Sequence, residues 1–308
     1  MEYFIFQRTI FQLIPCTNQQ LTVHFGWICE VFLPLKIYTN KMEIQTIKVL
    51  GGCGKDGNLE PVGSFDLQMG NIISIVGPTG CGKTTLINDI EMFANCNTPS
   101  NRKVLINGAT VPNDFSFDPK KHPIALISQH TNFLSDLPVG EFLKIHATVR
   151  GAYNVGQIID ETLDFANQLT GESIIPATGM TELSGGQTRS LLIADAVIIG
   201  NSPIILLDEI ENAGINRTRA LELLKNYNKI FVFVTHDPRI ALLSDYRIVM
   251  KNGSMQKLII TTADERLAAR ELKKMDDALL HFRGLIRAGE ELTMEMLHNT
   301  IKIETSLA

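Results

Sequence analysis

The sequence predicts an α/β fold built on an open sheet of parallel strands. Three stretches predict it. Residues 71–90, "NIISIVGPTGCGKTTLINDI", read as a buried strand, a glycine loop and a helix. "SPIILLDEI" at 202–210 is a short apolar run that ends in two carboxylates. "FVFVTHD" at 231–237 is a second apolar run that ends in polar groups. Apolar residues on both faces suit a central parallel strand. In open α/β sheets, ligands sit at the carboxyl ends of such strands. The chain has 308 residues, 44% of them hydrophobic, enough for one sizeable core with appendages.

The elements follow in chain order. Residues 1–41 hold 8 aromatic residues, including Trp27, and only five charged ones, without sustained strand or helix periodicity. They lack a basic start and a small-residue cleavage site, which argues against a signal peptide. Met42 then opens "MEIQTIKVL", a first strand. The composition shift predicts Met42 as the native start and 1–41 as translated upstream sequence. The alternative is an apolar extension that docks on the core or on a membrane surface. "LGGCGKDGNLEPVG" at 50–63 is rich in Gly and Asp and reads as a turn.

The loop at 77–84 fits G-x-x-x-x-G-K-[ST]. Gly77, Gly80 and Gly82 allow turns that side chains would block. A ring of N–H groups from Gly77, Pro78, Thr79, Gly80, Cys81, Gly82, Lys83, Thr84 and Thr85, Pro78 excepted as a donor, would favour a polyphosphate at a helix start. Lys83 can reach the β- and γ-phosphates, and the Thr84 hydroxyl can ligate Mg²⁺. A nucleotide and Mg²⁺ are therefore the expected ligands. At the end of 202–210, Asp208 would hold Mg²⁺, and Glu209 would poise a water for attack on the γ-phosphate. "LSGGQ" at 183–187 precedes an apolar helix, with Ser184 placed as its N-cap and Gly185 and Gly186 exposing N–H groups beside it. Residues 191–210 are too interrupted by Asp195, Asn201, Pro203 and Asp208 to span a membrane, and read as helix, turn and strand.

Together the phosphate loop, "LSGGQ" and "ILLDE" closely resemble the signature of ATP-binding cassette (ABC) ATPases, over residues 42–258. The resemblance implies a P-loop NTPase core with an antiparallel β subdomain around "VLINGATVP" (104–112) and a helical subdomain at 138–182. It implies an ATP hydrolase. It also implies that Ser184, Gly185, Gly186 and Gln187 of one subunit cap the ATP held by the phosphate loop of another, in a homodimer or pseudo-dimer. Gln129 of "ALISQH" matches the lid glutamine near Mg²⁺ and the attacking water. His236 matches the switch histidine at the γ-phosphate. Glu209, His236, Gln129 and Lys83 are then the catalytic set, and Thr84, Gln129 and Asp208 the metal set.

Three features depart from the family pattern. The zone at 50–63 has no aromatic residue to stack on adenine. "DEIENAGI" at 208–215 places Ile210 and Ile215 where transporter subunits commonly have Pro and Asp. Residues 263–300 are charged and helical, with Leu267, Leu272, Met275, Leu279, Phe282 and Ile286 as an apolar stripe. That stripe is read as packing on the chain's own core, or else as a dimer or partner surface. Residues 259–308 form a C-terminal helical extension.

The net charge of -5 gives no global field for nucleic acid, and none is expected as a partner. The five cysteines fit no zinc or haem spacing and read as free thiols of a reducing cytoplasm. Two biological roles are open. One is a soluble ATPase that remodels or loads a partner protein. The other is the ATP-binding subunit of a transporter, at the inner face of a membrane, with separately encoded spanning subunits. "DEIENAGI" and the helical tail favour the first by a small margin. A non-hydrolysing nucleotide sensor is disfavoured by the presence of Lys83, Asp208, Glu209 and His236.

Overall fold

The structure is a computed structural model, and it describes residues 43–111, 122–128, 131, 133, 135–209 and 217–298, the side chains of 217 and 218 excepted. Residues 1–42, Gln129 and the segment 210–216 lie outside the described residues. The expectations for the N-terminal stretch, the lid glutamine, Ile210 and Ile215 fall there.

Two sheets carry the chain. A small antiparallel sheet orders β2 (Ser64–Gln68), β1 (Thr46–Leu50) and β4 (Lys103–Ile106). β1 begins at Thr46, later than the "MEIQTIKVL" run suggested, because residues 43–45 are coil. The turn after β4 is anchored by Asn107, whose side-chain oxygen accepts from the amides of Gln45 and Thr46 at 2.9 and 3.1 Å. The larger sheet has six strands in the order β5 (Ile124–Ile127), β6 (Ile204–Asp208), β7 (Ile230–Val234), β3 (Ile72–Val76), β8 (Tyr246–Lys251) and β9 (Ser254–Ile260). All neighbours pair in parallel except β8 and β9, which form a hairpin. β9 continues to Ile260, two residues beyond the expected boundary at 258.

Strand alternation divides the core. Ile204 and Leu206 face α1 (Lys83–Glu91) and the small sheet, with Ile73, Ile75, Leu86 and Ile87. Ile205 and Leu207 face the helices α2 (Val139–Val149), α3 (Val155–Leu169) and α4 (Gly185–Val197), with Leu163, Leu191 and Phe233. A strand apolar on both faces is thus buried on both faces, as its composition required. Helices α5 (Arg217–Leu224) and α6 (Pro238–Leu243) complete that layer.

The tail forms one long helix, α7 (Ala263–Arg287), followed by a turn and a helical segment at 294–298. Its start is a capping box between Thr262 and Glu265. α7 packs through Ala269, Ala278 and Phe282, and Asp276 receives the Arg239 guanidinium from α6 at 2.7 Å. The expected stripe is corrected here. Of its six residues only Phe282 is buried, and Met275 and Ile286 are 64% and 61% exposed. The small residues Ala269 and Ala278 let α7 lie close, so contact follows them and Phe282, while Leu267, Met275, Leu279 and Ile286 stay exposed.

Candidate functional site

Three neighbouring parallel strands, β6, β7 and β3, end at one edge of the sheet. β3 feeds the loop 77–82, β6 ends in Asp208 and Glu209, and β7 leads to Thr235 and His236.

The loop after β3 turns on glycines. A Cβ on Gly77 would meet the Met250 carbonyl oxygen at 2.4 Å and the Cys81 Sγ at 2.7 Å. Gly82 has φ 100 and caps α1 with no side-chain hydrogen bond. The amides of Gly82, Lys83, Thr84 and Thr85 consequently have no acceptor among the described residues. Helix starts carry unsatisfied N–H groups and a partial positive charge, which suit an anion. Pro78, Thr79 and Gly80 form the exposed tip, while Thr84 and Thr85 stay open to solvent. Lys83 is buried, and its Nζ donates to the carbonyls of Gly77 at 3.0 Å and Pro78 at 3.2 Å. Cys81, inside the loop, is only 4% exposed.

Beside this loop, Glu209 adopts φ 49, a left-handed conformation unusual for a non-glycine residue. Its amide still donates to the Val234 carbonyl at 2.9 Å, which fixes it to the end of β7. His236 Nε2 lies 3.4 Å from Glu209 Oε1. Asp237 follows as the N-cap of α6, accepting from the Arg239 amide at 2.8 Å.

The "LSGGQ" turn lies at the start of α4. Ser184 accepts from the Gln187 amide at 3.3 Å, and Gln187 accepts from the Ser184 amide at 2.9 Å. Space is open over Gly185. Among the described residues, no hydrogen bond or ion pair joins residues 183–187 to the phosphate loop.

Comparison with known proteins gives this geometry its family. The family model described as "ABC transporter" matches residues 62–212. MJ0121 of Methanocaldococcus jannaschii, described as an uncharacterized ABC transporter ATP-binding protein, is 49% identical over 261 residues, 85% of this chain and 100% of that protein. The chain belongs to the ABC ATPase family. As an ABC ATPase it binds ATP and is an ATP hydrolase. The spermidine/putrescine import ATP-binding protein PotA of Legionella pneumophila is 30% identical over 203 residues, 63% of this chain and 53% of PotA, so the chain spans about half of that relative. Among solved structures, the dimeric ATP-binding cassette MJ0796 bound to ADP and Pi aligns with TM-score 0.54 at 23% identity, over 70% of this chain and 99% of that one. CbiO1 of Clostridium perfringens, part of the ABC transporter complex cbiONQ, aligns with TM-score 0.55 at 22% identity, over 80% of this chain and 100% of that one. At these identities the structures show the shared fold.

Beneath the loop lies a group that the sequence did not single out. Arg102, fully buried, donates to Glu60 at 2.6 and 3.0 Å, to Asp89 on α1 at 2.8 Å and to the Gly253 carbonyl at 2.8 Å. Glu60 also accepts from the amides of Gly52 at 2.9 Å and Met255 at 2.6 Å. Burial alone would lower the Arg102 pKa, but hydrogen bonds to Glu60 and Asp89 outweigh it and raise the value. The network ties the small sheet, α1 and the β8–β9 turn together. Isolated charges in a sequence do not show that they meet. Lys55, in the turn before β2, was also missed, and its Nζ donates to the Gly80 carbonyl at 2.9 Å.

Proposed function

We propose that this chain is the ATP-binding subunit of a transporter, working as a pair of copies that close on ATP and drive separately encoded membrane-spanning subunits. The names of MJ0121 and PotA favour this over the soluble remodelling role that "DEIENAGI" suggested. Among the described residues no helix is long and apolar enough to cross a membrane. In this reading the chain acts at the inner, cytoplasmic face of a membrane. Residues 42–258 are its nucleotide-binding domain.

The observation that carries the paired arrangement is the separation of two half-sites. The phosphate loop, Asp208–Glu209 and His236 share one sheet edge, while among the described residues no hydrogen bond or ion pair joins the Ser184 turn to the phosphate loop. A second copy would supply that turn. Lys83, now held by loop carbonyls, would exchange them for the β- and γ-phosphates. Glu209 would orient and deprotonate the attacking water, and His236 would contact the γ-phosphate. Gly77 to Thr85 would cradle the phosphates, and Gln129 would complete the water site.

The donor set fits Mg²⁺. Thr84 offers a hydroxyl and Asp208 a carboxylate, both hard oxygen donors, with Gln129 in the expected set. Mg²⁺ is commonly held by one or two carboxylates plus substrate phosphates and water. Among the described residues no group of three or more His, Cys, Asp or Glu would hold a metal without the nucleotide. When bound, the ion would neutralise charge on the β- and γ-phosphates.

Glu209→Gln tests the proposal. It keeps the side-chain shape and loses the base. Hydrolysis should fall by about 10²–10⁴, and MgATP should shift the protein to a dimer on gel filtration. An inactive mutant that stays monomeric at saturating ATP would remove the paired arrangement. Recovery of the wild-type chain in soluble fractions without membrane subunits would return the remodelling role.

A further inference from the structure

Lys55 sits on a turn within the segment 50–63, which has no aromatic residue, and several contacts fix its place. The turn closes through the Gly57 amide on the Gly54 carbonyl at 3.0 Å and the Gly54 amide on the Asn58 carbonyl at 2.9 Å. The Lys55 amide donates to the Asn252 carbonyl at 2.9 Å, which fixes the backbone against the β8–β9 turn. The Lys55 stem passes over Gly253, where a Cβ would lie 2.8 Å from Lys55 Cγ and 2.9 Å from its amide nitrogen. Gly253 in turn donates to the Cys81 carbonyl at 2.8 Å. A Cβ on Gly82 would meet the Gly253 Cα at 2.9 Å. Three chain segments are therefore stacked with no room for side chains between them, and the Lys55 ammonium emerges at Gly80, over which space is open.

Lys55 shares a kind of partner with Lys83, although Lys83 is buried and Lys55 is exposed. Among the described residues neither lysine has an ion pair, and each meets only carbonyl oxygens of the phosphate loop. A neutral carbonyl is a weaker partner for an ammonium than an anionic oxygen. Asp56, the neighbouring carboxylate, is turned into its own turn and accepts from the Asn58 amide at 3.1 Å. We propose that Lys55 is a second phosphate-binding cation of this site, exchanging the Gly80 carbonyl for a phosphate oxygen of the bound nucleotide. The site then draws affinity from charge where the segment 50–63 offers no ring to stack on the base. This inference rests on the nucleotide site proposed above and adds a ligand to it.

The test measures binding. ATP, ADP and inorganic tripolyphosphate are titrated with Mg²⁺ into wild type, Lys55→Met, Lys55→Arg and Lys83→Ala. Wild type and Lys83→Ala report on the site itself, and the Lys55 variants report on this inference. Lys55→Met should weaken ATP and tripolyphosphate alike by about tenfold, with a shallower salt dependence. Lys55→Arg should return both to near the wild-type value. Wild-type affinity and salt dependence in Lys55→Met would make Lys55 a prop for the Gly80 carbonyl and overturn the proposal. Loss of ATP affinity with tripolyphosphate unaffected would also overturn it, by moving the contact to ribose or base. Amine-reactive labelling read by mass spectrometry gives a mutation-free check. ATP should protect Lys55, and labelling unaffected by saturating ATP would overturn the proposal.

Discussion

Two helix starts in this chain are flanked by glycines, and they are built in opposite ways. α1 begins at Gly82 with φ 100, and no side chain caps it. α4 begins at Ser184 with φ -61, and a capping box satisfies the amides of Ser184 and Gln187, while those of Gly185 and Gly186 have no acceptor among the described residues. The first is stable as a structure only because it is held elsewhere. The amides of its first turn have no acceptor among the described residues, and α1 is fastened through Asp89 to Arg102 and Glu60. The second holds its own shape through that box and lies open to solvent. A helix start that leaves its donors unmet is prepared for a ligand from its own site. One that caps itself and keeps two glycine donors on an open turn presents them to something arriving from outside.

The largest effect should come from breaking the fastening. Arg102→Met leaves two buried carboxylates unpaired, and removing one partner of a buried pair costs about 3–5 kcal/mol. Urea unfolding should show that loss in the nucleotide-free protein. A loss below 1 kcal/mol, of the kind expected for an exposed pair, would show that the phosphate loop is not held through this network. Next comes Lys83→Ala, which removes a cation without touching the fastening. ATP affinity should fall about 100-fold, roughly 2.7 kcal/mol, in a titration. Stability without nucleotide should hold. If both fell together, Lys83 would belong to the platform and not to the ligand.

A smaller effect concerns Cys81. A thiol beside N–H dipoles and Lys83 is placed for reactivity, yet this one is 4% exposed, whereas Cys96 is exposed. Alkylation followed by mass spectrometry should modify Cys96 first and Cys81 about tenfold more slowly, in proportion to access. Equal rates would mean that the loop opens often without a ligand.

The phosphate loop, the acidic strand end and the serine turn were legible because each depends on neighbours in sequence. Glycine, lysine and threonine at fixed offsets define a loop, and Ser184 with Gln187 three residues later defines a cap. The apolar runs gave the central strands for the same reason. What the sequence hid depends on contacts across it. Glu60 and Arg102 are 42 residues apart, and Lys55 reaches a carbonyl 25 residues on. The "GGCGK" segment is a turn, as its glycines required, but composition could not tell what its lysine touches. The reading of the α7 stripe as core packing failed for a related reason, and the partner-surface reading is untouched by the exposure of four of its residues. Helical period shows which residues share a face, and the partner surface decides whether large or small ones are buried.

The smallest effect separates the two duties of Ser184. Ser184→Ala loses the cap, and such losses cost about 1 kcal/mol. Thermal unfolding should register that modest drop, and α4 should fray first. Ser184→Asp is the informative companion. Aspartate caps about as well as serine, and its charge suits a helix start. The folded chain should therefore keep its stability. In a paired arrangement, however, the same carboxylate would face the γ-phosphate held by the other copy, and like charges would oppose closure. Alone with MgATP it should therefore stay monomeric on gel filtration, whereas mixing with Lys83→Ala protein should restore one intact shared site, the Lys83 loop of the aspartate copy against the Ser184 turn of the other, and with it some dimer. A Ser184→Asp protein as stable as wild type that still dimerises with ATP would make the serine turn a helix cap and nothing more.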